Sequence, residues 1–76
     1  MGAIEVEGNV FVHLDELLDE RGLTVAELAR RIGLTQANVS ILKTGKAKAM
    51  RFTTLAAICN ELQCQPGDLL SFKPEG

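Results

Sequence analysis

The chain has no tryptophan or tyrosine and only three phenylalanines among its 76 residues. Its core must therefore be aliphatic, and Leu, Ile, Val and Ala at helical spacing suit a compact helical fold. Apolar runs are only a few residues long, which excludes a transmembrane span. Residues 1–7 hold two Glu and no Lys or Arg, so a secretory signal is not expected there, and a cytoplasmic location is. Histidine occurs once and cysteine twice, too few ligands for a zinc site. Counted along one helix, Cys59 and Cys64 would face different ways. They read as small, buried or half-buried thiols in a reducing compartment, with a disulfide or redox switch as the lesser alternative. A phosphate-binding glycine loop is missing too, because Gly22, Gly33 and Gly45 fall where helices stop. Asp15, Glu16, Asp19 and Glu20 trace a solvated helical face with no second set of metal ligands. His13, between Val12 and Leu14, reads as a helix-start or surface residue rather than a base. No enzyme, catalytic residue, metal, cofactor or small-molecule ligand is expected.

What the chain does have is an uneven distribution of charge. The net charge of −2 argues, taken alone, against a polyanionic partner. Residues 1–20 hold six acids (Glu5, Glu7, Asp15, Glu16, Asp19, Glu20) and no Lys or Arg, a net −6. Residues 21–51 hold seven bases (Arg21, Arg30, Arg31, Lys43, Lys46, Lys48, Arg51) and one acid, Glu27, a net +6. Such a molecule can present a basic face to phosphate and hold its acidic part away. Two ordinarily solvated helical faces would give the same count.

A chain of this length makes one domain with a modest core. Residues 3–12 alternate around Gly8-Asn9 and read as a short hairpin or one extended strand. Leu14, Leu17 and Leu18 follow the i, i+3, i+4 rule and give a first helix ending at Gly22. Thr24-Val25-Ala26-Glu27 has capping-box spacing: the Thr hydroxyl accepts from the amide three residues on, and Glu27 reaches back. Leu28, Ala29 and Ile32 form the apolar stripe of this second helix, which Gly33 stops in a left-handed cap. Thr35 is the N-cap of a third helix, with Val39 and Leu42 on its buried side and Gly45 at its end. Residues 46–50 read as a basic loop. Phe52, Leu55, Ala56, Ile58, Cys59 and Leu62 build a fourth helix. Gln65-Pro66 puts proline at the first position of a last short helix through Leu70. Ser71, Phe72 and Lys73 are extended and able to pair with the N-terminal strand.

Only Gly33 and Leu34 separate the second helix from the N-cap of the third. The small Ala29 lets the two helices cross closely, and Leu28, Ile32, Val39 and Leu42 pin the crossing from inside. This is a helix-turn-helix, whose second helix stands proud of the domain and fits the major groove of DNA. At 100° per residue, the face opposite Val39 and Leu42 carries Ala37, Ser40, Ile41 and Thr44, with Gln36 and Asn38 on its flanks. Gln36 can bond adenine bidentately, and Ala37 and Ile41 can lie on thymine methyls. The plainer readings are a solvated Gln36 in the first turn and a stray exposed Ile41. Asn38 either contacts a base or phosphate or supports the cap.

Residues 23–70 resemble the lambda-repressor-like, or Xre, helix-turn-helix family. The resemblance rests on Thr24, Glu27-Leu28-Ala29, Gly33, Thr35, Val39-Ser40, Leu42, Gly45-Lys46, Thr54-Leu55 and Asp68-Leu69-Leu70. No single motif carries it; the joint spacing does, over about two-thirds of the chain. The chain is also similar to very small Xre-type proteins in which a short strand precedes the first helix. The resemblance implies an all-α, compact five-helix domain over residues 13–72. An extended arm or short strand over 1–12, or a hairpin, would pair with a C-terminal strand, and 73–76 would be a tail. It implies base contacts from Gln36, Ala37 and Ile41, with Asn38 and Ser40 on the same face. Thr24, Thr35, Lys43, Thr44, Lys46 and Lys48 would hold phosphates. Arg51 aligns with a minor-groove arginine of similar phage repressors, or is simply a helix-start residue in solvent. Of Arg30 and Arg31, one can reach the DNA backbone and the other can pair with the acidic first helix.

Two departures stand out. Val25 occupies a position where the family often has a Gln that supports a phosphate and the recognition helix. The third helix also lacks Arg or Lys at its central exposed positions. Phosphate contacts and a two-fold homodimer would then carry much of the affinity, with residues 4–12 and the Phe72 region as dimer surfaces. The function expected is a sequence-specific transcriptional regulator, a repressor, on a double-stranded operator, with no membrane partner. The alternative is a protein-interaction module on the same fold, antitoxin-like or an accessory partner, which the weakly charged recognition face and the acidic first helix favour.

Overall fold

The computed structural model describes residues 3–5, 10–45, 47 and 49–73. In chain order they form β1 (Ala3–Glu5), β2 (Val10–Val12), α1 (Leu14–Arg21), α2 (Val25–Ile32) and α3 (Gln36–Lys43). β3 (Ala49–Arg51), α4 (Phe52–Leu62), α5 (Pro66–Leu69) and β4 (Leu70–Phe72) follow. The five helices enclose a single aliphatic core, as the composition requires.

The helix ends follow from local chemistry. α1 stops where Gly22 turns left-handed at φ 65°, and the Leu23 amide donates to the Leu18 carbonyl at 3.0 Å. α2 opens with a complete capping box. The Glu27 amide donates to Thr24 Oγ1 at 3.1 Å, and the Thr24 amide donates to Glu27 Oε1 at 3.2 Å. It closes at Gly33, φ 75°, where the Leu34 amide donates to the Ala29 carbonyl at 3.0 Å. A side chain at Gly33 would meet no atom, so the glycine is there for its backbone angle alone. α4 ends on Gln63, a non-glycine residue at φ 52°, and α5 starts with Pro66 inside a second capping box, Gln65 to Asp68.

The most deeply buried side chains are Leu14 of α1, Leu28 of α2, Val39 of α3, Ile58 and Leu62 of α4 and Leu69 of α5. Each helix thus gives at least one side chain to a shared centre, at roughly 1.5–3 kcal/mol for each one fully removed from water. α2 and α3 make the most extensive helix–helix contact, which fixes the sharp turn between them. Val25 is half-buried and packs on the core, so the residue that departs from the family's Gln serves the interior instead.

Four readings need correction. Residues 3–12 do not pair as a hairpin. β1 is antiparallel to β3, with Ala3 opposite Arg51 and Ile4 opposite Met50. β2 is antiparallel to β4, with Val10 opposite Phe72 and Val12 opposite Leu70. The same alternation suits either arrangement, and the pairing was decided by edges far along the chain; Gly8-Asn9 lies outside the described residues. Next, the stretch 46–50 read as a basic loop runs into β3: Met50 is buried between exposed Ala49 and Arg51, a period of two, and Ala47 is buried as well. Lys46 and Lys48 lie outside the described residues. Phe52, counted with the apolar side of the fourth helix, is half exposed at its first turn, while Leu55, Ile58 and Leu62 make the buried stripe. Finally, Cys59 and Cys64 are not on one helix. α4 stops at Leu62, and the left-handed Gln63 turns the chain back so that the Cys64 amide donates to the Cys59 carbonyl at 3.0 Å.

Candidate nucleic-acid interface

The site is built by the α2–α3 turn. Thr35 Oγ1 accepts from the Asn38 amide at 3.1 Å, which caps α3. The first turn of α3 contains no acid, so its remaining free amides and the positive end of its dipole face outward unopposed. Gln36, Ala37, Asn38 and Ile41 are exposed, Ser40 and Lys43 half-buried, and Val39 and Leu42 buried. Ile41 keeps 45% of its surface in water, the large apolar side chain that α3 leaves exposed. Ser40 lies on the flank shared with Lys43, whose ammonium is 3.6 Å from Asp15 of α1. Thr44 is exposed, and its hydroxyl donates to the Ser40 carbonyl at 3.0 Å.

A cleft of about 260 Å³ runs between α3 and the start of α4. It brings Asn38 and Ile41 together with Arg51, along with Leu34, Leu42, Ala49, Met50 and Thr54. Thr24 lies apart from this cleft, at the start of α2. Its hydroxyl is engaged with Glu27, and the Thr24 amide, then the Thr24 hydroxyl, then Arg31 and Arg30 hold the Glu27 carboxyl below its ordinary range. Arg51 is the exposed residue preceding α4, and that helix has no side-chain cap, so its N-terminal amides also lack an internal acceptor.

Several basic residues are spent inside the fold. Arg31 pairs with Glu61 of α4 at 3.0 Å, not with the acidic first helix. Arg21 donates from Nε to the Leu62 carbonyl at 2.9 Å, closing the end of α4. His13 hydrogen-bonds to the Ser71 hydroxyl and so ties the start of α1 to β4.

A family model of the Cro/C1-type helix-turn-helix DNA-binding domain matches residues 13–75. The chain belongs to the Cro/C1-type helix-turn-helix DNA-binding family. It is 50% identical over 66 residues to the "Uncharacterized HTH-type transcriptional regulator YozG" of Bacillus subtilis (strain 168), covering 87% of this chain and 79% of that protein. Its fold is similar to the crystal structure of the transcriptional regulator VanUg, form II. The TM-score is 0.71 and the identity 30%, over 99% of this chain and 92% of that one. The lambda-repressor-like resemblance read from residues 23–70 thus agrees with a match over the whole helical domain.

Sequence reasoning missed two parts of this Cro/C1-type face. Thr54 and Ala49 line the cleft, and the uncapped start of α4 opens beside Arg51. Thr53-Thr54 right after a basic stretch was the available signal. Thr54 reads as part of the family resemblance, not as a residue of the site, because β3 was not foreseen.

Proposed function

We propose that this Cro/C1-type DNA-binding domain is a sequence-specific transcriptional regulator that lays α3 in the major groove and represses by occupying its operator. The observation that carries the proposal is the exposed row Gln36, Ala37, Asn38 and Ile41 on a helix whose N-terminus holds no acid. Gln36 reads adenine, Ala37 and Ile41 meet thymine methyls, and Asn38 and Ser40 supplement them. Thr35, Lys43, Thr44, Lys46 and Lys48 position the domain on phosphates, Lys43 by exchanging Asp15 for a phosphate. Thr24, already bonded to Glu27, contributes least of these. Arg51, at the edge of the α3–α4 cleft, reaches the minor groove beside it.

One such domain covers one half-site, so the binding unit is a homodimer on a two-fold operator. The β2–β4 sheet supplies the contact, with Phe11 44% and Phe72 66% exposed on it. A second reading, protein interaction as the main role, has one observation in its favour: the exposed residues of α3 are uncharged and border an apolar cleft.

The test is selection of bound sequences from a random DNA library, followed by titration against salt. Steep loss of affinity with salt, a slope smaller by about 1 in Lys46→Ala, and relaxed preference at one position in Gln36→Ala are expected. Binding without salt dependence, or none, sinks this reading and leaves the protein-interaction one. A reporter driven through the selected operator should fall when the protein is expressed; a rise would overturn repression. Sedimentation showing a monomer at high micromolar concentration, with and without DNA, would overturn the dimer.

A further inference from the structure

Three helices of this fold end in the same way: a left-handed residue, followed by an amide that donates to the carbonyl five residues back. At Gly22 the bond joins Leu23 to Leu18, at Gly33 it joins Leu34 to Ala29, and at Gln63 it joins Cys64 to Cys59, each at 3.0 Å. This closure brings the two joined side chains onto one another, and an apolar pair ordinarily fills the position. The first two closures follow that rule with Leu18 and Leu23 and with Ala29 and Leu34. At the third, both places are taken by the only two cysteines of the chain. Both are free thiols, half-buried against the core.

Their backbone is held from both sides. Gln63 Nε2 donates to the Asn60 carbonyl at 2.6 Å, which secures the left-handed residue. Immediately after Cys64, the Gln65 amide donates to Asp68 Oδ2 at 2.9 Å and starts α5. A backbone hydrogen bond of 3.0 Å between the two cysteines themselves holds their Cα atoms within roughly 7 Å, near the range a disulfide spans.

We propose that Cys59 and Cys64 are a hydroperoxide-sensitive dithiol that closes to a reversible intramolecular disulfide. Burial, then the neighbouring Cys64, push the Cys59 thiol up, so Cys59 stays protonated and serves as the resolving thiol. Cys64 attacks first. With hydrogen peroxide, its thiolate sulfur forms a bond to one peroxide oxygen, the O–O bond breaks, and the departing oxygen takes from solvent the proton that the Cys64 thiol had released and leaves as water. The product is a sulfenic acid on Cys64. Cys59 sulfur then attacks the Cys64 sulfur, the S–O bond breaks, and hydroxide leaves with the Cys59 proton as a second water. The dithiol is oxidised by two electrons and the peroxide reduced by two. A dithiol reductant reverses the change by thiol–disulfide exchange. This chemistry sits at the end of α4 opposite Arg51 and does not depend on what α3 binds.

The experiment treats the full chain with hydrogen peroxide and follows intact mass and alkylation under non-reducing conditions. Both thiols should vanish together, the mass should fall by two hydrogens, the chain should stay free of intermolecular crosslinks, and dithiothreitol should restore both thiols. Cysteines that remain alkylatable, a gain of oxygen without disulfide, or crosslinked dimers would overturn the proposal. Cys59→Ser should halt the reaction at a Cys64 sulfenic acid that dimedone traps, and Cys64→Ser should slow thiol loss at least tenfold; equal rates would overturn the assigned order. Equilibrated with a glutathione redox pair, the folded chain should favour the disulfide at least tenfold more than the chain in guanidinium. Equal ratios would show that the fold does not position the pair.

Discussion

α2 and α3 are both eight residues long and both begin after a threonine. They differ at the third helical position. In α2 it is Glu27, whose carboxylate returns to the Thr24 amide and neutralises the positive end of the helix. In α3 it is Asn38, whose amide is capped by Thr35 but which brings no charge. One helix closes its N-terminus within the fold and the other leaves it available to an anion from outside. Their packing diverges in the same sense. Each buries two apolar side chains, Leu28 and Ala29 in α2 and Val39 and Leu42 in α3, but only α3 also sets a large apolar side chain, Ile41, in water. Glu27 against Asn38 at the helix start, and Ile41 on the surface, are what separate the two helices.

The largest way to break this contrast is to remove the support under both helices. Leu28→Ala should cost about 2–5 kcal/mol in urea denaturation, because the site is fully buried and next to the α2–α3 crossing. DNA binding should disappear with the fold. The contrast can instead be sharpened by giving α3 the acid it lacks. Asn38→Glu completes a capping box, so the urea midpoint should hold or rise slightly, while affinity for the selected operator falls about tenfold or more at low salt. An unchanged affinity would mean that the start of α3 is not near phosphate. Thr24→Ala and Thr35→Ala should each lose about 1 kcal/mol by the same denaturation, and only the second should also weaken DNA binding beyond its effect on folding.

The smallest effect is on pH. The Glu27 carboxyl is held below its ordinary range, chiefly by the Thr24 amide. Its contribution to stability is therefore complete above the ordinary glutamate pKa of about 4.3 and is lost as pH falls through the lower native value. Glu27→Gln should flatten the urea midpoint across that acidic window, and Asn38→Gln should leave its slope as it is.

What could be read from the sequence was the local chemistry. Thr24 with Glu27, Thr35 with Asn38, and the stops at Gly22 and Gly33 each act over a few residues, so spacing alone exposes them. Helical angle likewise put Ala37 and Ile41 outward, and both are exposed. The half-burial of Ser40 was not legible, since it belongs to the flank where Lys43 reaches Asp15, and that depends on how α1 lies against α3. The pairing of Ala3 with Arg51, the bond from Arg21 to Leu62 and the pair Arg31–Glu61 join distant segments that no period reveals. The approach of Cys64 to Cys59 was hidden for another reason: Gln63, not glycine, occupies the left-handed position, so helix counting ran on past the true end.

The antiparallel register of β1 has a practical outcome for anyone handling the protein. Ala3 lies opposite Arg51, so the start of β1 runs beside a residue that lines the cleft where α3 and α4 meet. A purification handle or fluorescent reporter fused ahead of β1 is tethered through a strand that borders the surface proposed to receive DNA, and will compete for it as a steric shield. Attached instead beyond β4, the same fusion follows a strand paired with β2, in the sheet proposed to join two copies, and would burden the dimer rather than the cleft.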